Sequence, residues 1–196
     1  EASDAEALAQ LRTTGARLLA DYGAFILWQI TAPASAPEIT NRPSVATLNN
    51  INSIYLRDGN VVDTRNAQAT VTNERGLQSL STSSRLVQSR SSEPQLWLAQ
   101  FVGPVKDEWP DTLRELGLQI VAYMPSNAYV VWGDGAALDK LDSQVTAFQS
   151  SANNAVVQWA GAYQPSYRLA PTLQLSATNG SADLVDVTVQ IYETAN

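Results

Sequence analysis

The sequence predicts an α+β fold of two ferredoxin-like units of β-α-β-β-α-β type. Each is an antiparallel sheet covered by helices, and the first unit lacks its own opening strand. Three observations predict it. A helix–strand–strand pattern occurs near the N-terminus and again after residue 106. The two stretches carry the same residues at matched positions. Residues 95–173 read as strand, helix, strand, strand, helix, strand, the order of a sheet with two helices on one face. The chain has 196 residues, 44% of them apolar and 16% charged, enough to bury a core and unlike a disordered composition.

The first unit, with a following hairpin, spans 1–65. Ser3 and Glu6 stand in capping-box spacing and open a helix to about Thr14. Ala5, Leu8 and Leu11 share a face, and Gly15 suits the position just past the helix end. Two apolar runs follow, Ala16–Ala20 and Ala24–Ile30, the second rich in strand formers. Pro33, Pro37 and Pro43 then interrupt regular structure. In SIYLRDGNVVDTR (Ser53–Arg65), Asp58-Gly59 sits between alternating Ile54, Leu56 and Val61, which predicts a hairpin. Residues 66–94 are polar and are expected to form a linker.

The second unit spans 95–173. QLWLAQFV is a strand, and Asp107 is expected to cap a helix with Pro110 in its first turn, Leu113 and Leu116 inward and Gly117 at its end. LQIVAYM (Leu118–Met124) and AYVVW (Ala128–Trp132) are strands joined by Pro125-Ser126-Asn127. Asp134 caps a second helix carrying Leu138, Leu141 and Val145, and VVQWAGAY (Val156–Tyr163) is the fourth strand. Residues 174–196 form a tail whose DVTVQIYE stretch alternates like a strand.

Leu11, Arg12, Gly15 and Ala20 match Leu113, Arg114, Gly117 and Ala122. After a two-residue change in the turn, Ala24 to Trp28 fall on Ala128 to Trp132. Any two such units share a glycine C-cap and apolar strands, but the coincident Leu-Arg, Gly, Ala and Trp favour a duplicated unit. The copies are unequal. The first begins on its helix, one strand short, while the tail carries a spare strand comprising Asp186, Val187, Thr188, Val189, Gln190, Ile191 and Tyr192. Unpaired strand edges invite pairing, so that strand either folds back within the chain or adds to a neighbouring molecule.

Composition limits the chemistry. The chain contains no His and no Cys, which removes the Ser-His-Asp triad, thiol nucleophiles and zinc sites of the usual kind. A Ser-Lys dyad would need Lys106 or Lys140, both placed for solvated surface roles. Asp107, Glu108 and Asp111 cluster at a helix start, where acids complement the macrodipole. Asp139 and Asp142 read as the exposed face of the second helix, and Gly133-Asp134-Gly135 as a turn and cap without the lysine of a phosphate loop. No catalytic, cofactor-binding or metal residue is expected, and no cofactor. Trp28, Trp97, Trp132 and Trp159 lie in strands, as core residues or, if several point outward, as a carbohydrate platform. Asn179-Gly180-Ser181 fits a short glycosylation sequon.

A formal charge of −7 argues against nucleic acid as a partner. No apolar run approaches the ~18 residues of a membrane span. Abundant Ser, Thr, Asn and Gln, only two lysines, and a polar opening from Glu1 of the kind left by signal-peptide removal suggest a secreted, extracellular protein.

The stretches QFVGPVKDEWPDTLRELG, VAYMPSNAYVVWGD and VQWAGAYQPSYRLAP resemble the non-catalytic N-terminal pro-region of bacterial subtilisin-like serine peptidases. GARLLADYGAF and LRDGNVVDTR resemble what precedes that region. The resemblance covers about two-thirds of the chain and includes no catalytic residue. It implies a ferredoxin-like fold that assists folding of the peptidase and inhibits it, with the sheet against the catalytic domain and the following tail in its cleft. The tail would be Gln164–Pro171, with contacts from Gln164, Pro165, Tyr167, Arg168 and Leu169. The chain departs from that pattern by continuing into DLVDVTVQIYE. The expected partners are therefore a subtilisin-like peptidase or copies of the chain itself, the latter building an oligomer or filament through the spare strand.

Overall fold

The computed structural model describes residues 4–30, 39–56, 59–65, 68–73, 80–83, 93–151 and 155–168, with 186, 188, 189, 191 and 192. The fold is α+β with antiparallel sheets.

Helix α1 is Ala5–Thr13. Ser3, the expected cap, lies outside the described residues; Asp4 fills that role, accepting the Ala7 N–H at 2.9 Å. The inward stripe is Ala7 and Leu11, four residues apart, with Ala5 exposed instead of buried. Strands β1 (Arg17–Asp21) and β2 (Ile26–Gln29) form a two-stranded hairpin.

Strands β3 (Ser53–Tyr55), β4 (Asn60–Asp63), β5 (Gln68–Asn73) and β6 (Leu80–Ser83) form a four-stranded meander in chain order. The expected hairpin is its first half. Ile54 lies opposite Val62, so Val62, not Val61, joins Ile54 and Leu56 inside. The segment 66–94 was expected as a linker but holds β5 and β6. Thr70, Val71 and Thr72 are β-branched, and a ladder built on backbone bonds forms without a high apolar content.

The second unit consists of β7 (Gln95–Phe101), α2 (Trp109–Glu115), β8 (Gln119–Met124), β9 (Ala128–Gly133), α3 (Gly135–Gln149) and β10 (Val157–Ala162). Its sheet runs β10-β7-β9-β8, every neighbour antiparallel. Glu108 precedes α2 without a side-chain cap bond, so Asp107 does not cap it. Asp134 caps α3 as expected, accepting the Ala137 N–H at 2.8 Å.

Side chains of β7 alternate between two cores. Trp97, Ala99 and Phe101 pack with Trp109 and Leu113 of α2 and Leu138 and Leu141 of α3. Leu98 faces the other way, into a core with Ile54, Leu56, Val62, Val130 and Trp159. The sheet is thus covered by helices on one face and by the β3–β4 hairpin on the other. A bulge in β10 between Val157 and Trp159 lets the first join the helix-side core and the second the opposite one.

The two helix–strand–strand stretches share local detail. Gly15 and Gly117 both have positive φ, 71° and 90°. Beside them Ala16 N–H donates to Leu11 and Leu118 N–H to Leu113, the same C-terminal closure. The first strand of each pair bulges at the matched residue, between Leu18 and Ala20 and between Ile120 and Ala122. The returning strands differ by one in register: Leu18 opposes Trp28, whereas Ile120 opposes Val131, one residue short of Trp132.

Candidate functional site

A polar cluster joins the hairpin to the central sheet. Gln100 is 0% exposed, and burying an amide requires partners for both of its ends. Its Nε2 donates to the carbonyls of Ile51 at 3.1 Å and Ser126 at 2.9 Å. Its Oε1 accepts from Gln158 Nε2 at 2.9 Å and from the Thr64 hydroxyl at 2.5 Å. Both donors of the Gln100 amide are used and both lone pairs of its carbonyl have a donor in reach, so it ties the hairpin to the sheet.

Tyr22 fastens the β1–β2 hairpin to the loop before α2. Its hydroxyl donates to the Pro104 carbonyl at 2.7 Å, its ring stacks on Phe25 at 4.4 Å, and Lys106 Nζ lies 5.4 Å from its ring centre. Burial pushes its phenol up to about 12. At the other end of β1, Arg17 Nη1 donates to the Phe148 carbonyl at 2.5 Å, with the guanidinium over that ring. Between these anchors a cleft of about 790 Å³ runs beside β1, with Trp109, Ala155 and Val156 on its far side.

Lys106 is 4.0 Å from Glu108, and Lys140 is exposed on α3. Asp111 pairs with Arg114 at 2.6 Å. Among the described residues, no three of His, Cys, Asp and Glu group to hold a metal. Trp97 and Trp159 are buried in different cores, so they form no common platform. Among the described residues, no helix is long and apolar enough to cross a membrane.

The two expected contact segments are placed differently. Pro165–Arg168 forms a 3-10 turn. Tyr167 is buried in the chain's own core at 5% exposure, 6.1 Å from the Tyr163 ring, and Arg168 Nη2 donates to the Tyr163 carbonyl at 2.9 Å. Tyr167 thus anchors the tail to the sheet, while Arg168 is tied to Tyr163 but exposed. Gln164 is half-buried, Pro165 is exposed, and Leu169 lies outside the described residues. In the spare strand, Asp186, Thr188, Val189, Ile191 and Tyr192 belong to no strand, and Val189 and Ile191 are 73% and 85% exposed. Val187 and Gln190 lie outside the described residues. Sequence reading passed over the Gln100 cluster. Its only signal was a glutamine within an apolar strand run, QLWLAQFV.

No curated protein and no solved structure matches the chain. A family profile matches residues 55–164, from the end of β3 to just past β10 and so across the Thr64–Gln100–Gln158 cluster; the chain belongs to the family described as a domain of unknown function, DUF8729.

Proposed function

We propose that the chain is a secreted, non-enzymatic protein-interaction module whose residues 95–168 form a ferredoxin-like unit akin to a subtilisin-like peptidase pro-region, and that such a peptidase is its partner. The observation that carries this reading is the strand order β10-β7-β9-β8, fourth-first-third-second in the unit's own order, with α2 and α3 on one face. The matched bulges and glycine closures support reading the first helix–strand–strand stretch as a partial copy of the same unit. The polar, lysine-poor composition supports export.

The helix-free sheet face is already covered by Ile54, Leu56 and Val62. Contact with a peptidase therefore falls to the Gln164–Pro171 stretch, with Tyr167 and the Arg168–Tyr163 bond holding its base. The test is titration of the full chain against bacterial subtilisin-like peptidases acting on a chromogenic peptide. Slowed turnover with a saturating dose curve is expected. A chain that neither binds nor slows any of them sinks the reading.

A second reading is self-assembly by donation of the C-terminal strand, favoured by the exposed Val189 and Ile191. Its test is the particle mass in solution before and after deletion of Asp183–Asn196. Assembly that is unchanged by the deletion removes it.

A further inference from the structure

We propose that Tyr123 is the chain's oxidative coupling site, where one-electron oxidation of the core surfaces as a phenoxyl radical and joins two copies through a dityrosine bond. Six rings form a continuous ladder through the helix-side core. Tyr123 meets Tyr129 at 5.3 Å, Tyr129 meets Phe101 at 5.9 Å, and Phe101 meets Trp109 at 5.6 Å. Trp109 in turn meets Tyr22 at 6.2 Å, and Tyr22 stacks on Phe25. Strand pairing sets the outer steps: Tyr123 lies opposite Tyr129 in the β8–β9 ladder, and Phe101 stands on β7, the next strand. Ring centres about 4.5–7 Å apart attract each other, so packing accounts for each contact. Packing does not account for the gradient along the ladder. Phe101 and Trp109 are 0% and 6% exposed, and Tyr123 is 56% exposed.

Composition leaves oxidation to these rings. The chain has no cysteine, no histidine and one methionine, Met124, which is buried. The thiols and thioethers that ordinarily take up oxidising equivalents are therefore absent or shielded. A one-electron oxidant, such as a high-valent metal complex, takes an electron from the Trp109 indole and leaves an indole radical. At neutral pH that radical oxidises a phenol, and rings in contact pass electrons by short tunnelling steps. Tyr129 supplies the electron across Phe101, and Tyr123 resupplies Tyr129. Oxidation of a phenol is complete only when its proton leaves. The exposed Tyr123 hands its proton to water. At the other end Phe25 has no hydroxyl, and the Tyr22 hydroxyl is bonded to the Pro104 carbonyl at 2.7 Å. Two Tyr123 phenoxyls from two chains then form one carbon–carbon bond between ring carbons ortho to oxygen. Each ring recovers its hydroxyl by moving the hydrogen on that carbon to the oxygen. The two phenols have together given two electrons to the oxidant and two protons to water. Tyr163 and Tyr167 lie off this route, buried in the core on the opposite face of the sheet.

Exciting the indole drives the ladder from its inner end. The full-length chain is illuminated with light that indole absorbs and phenol does not, with a cobalt(III) ammine complex as the irreversible electron acceptor. A covalent dimer with dityrosine fluorescence is expected, its bond mapped to Tyr123 by peptide mass spectrometry. Tyr129→Phe keeps the ring and removes the relay phenol, so under light it should lose most of the dimer. With a haem peroxidase and hydrogen peroxide, which oxidise exposed phenols directly, the same variant should link as well as the unaltered chain. Tyr123→Phe should lose most of the dimer under light. Undiminished photochemical dimer in Tyr129→Phe overturns the route. Loss of linking in Tyr129→Phe under both oxidants also overturns it, because the residue then acts through the packing of Tyr123 and not as a relay. A bond mapped to Tyr55, the tyrosine of similar exposure at 45%, overturns the site. Absence of dityrosine from the illuminated unaltered chain overturns both.

Discussion

The Thr64 hydroxyl and the Gln100 side-chain carbonyl, 36 residues apart in sequence, lie 2.5 Å apart and close a hydrogen-bonded cluster between hairpin and sheet. The hydroxyl has one proton and two acceptors in reach, Gln100 Oε1 and the Asn52 carbonyl at 2.9 Å. Gln100→Ala leaves the Ser126 carbonyl and the Gln158 amide short of partners and should cost about 3 kcal/mol, since each stranded buried polar group costs about 1–3 kcal/mol. Thr64→Val removes one bond and should cost about 1 kcal/mol. Urea unfolding of both single variants and the double should show non-additivity above about 0.5 kcal/mol. Strict additivity would mean that the pair is not coupled.

Gly161 is the seat of an indole. A Cβ there would stand 2.6 Å from the ring atoms of Trp159, which packs over it from two residues away on the same strand. Trp159 is buried and cannot swing out freely. Gly161→Ala should therefore cost about 2 kcal/mol through overpacking and alter the near-ultraviolet circular dichroism. An unchanged spectrum and midpoint would contradict this packing.

Burial disfavours the Tyr22 phenolate and pushes the phenol up to about 12. A group whose folded pKa is raised stabilises the fold below its unfolded value, near 10, and that contribution fades as pH rises through the folded value. The β1–β2 hairpin should therefore loosen between roughly pH 10 and 12. Tyr22→Phe should delete a step near pH 12 from the phenolate absorbance titration. Persistence of that step assigns it to another tyrosine.

Asp134 holds the first turn of α3 through the Ala137 N–H. Asp134→Ala should lower stability by about 1 kcal/mol, and Asp134→Asn, which keeps a cap acceptor, by much less. Thermal melts of the two variants would separate capping from any other role of the residue. Equal losses would contradict the cap.

The sequence by itself determined the elements whose signals are local. Helix stops at Gly15 and Gly117 need positive φ, Asp134 precedes an apolar 3.6-residue stripe, and QLWLAQFV and AYVVW are strands by residue type. The order of α and β elements in the second unit followed from these. Only the tertiary structure decided what lies across from what. Polar residues 68–73 and 80–83 become strands because neighbouring backbones pair with them, a gain that no local pattern records. Val62 takes the inward place of Val61 because Ile54 sets the register, and a one-residue slip exchanges faces. Gln100 is a buried tie because Thr64, Ile51, Ser126 and Gln158 converge on it from distant positions. The cleft depends on the same distinction: the alternation of residues 186–192 is legible in the sequence, but the cleft beside β1 exists only once Tyr22 and Arg17 pin the hairpin beside α2 and α3.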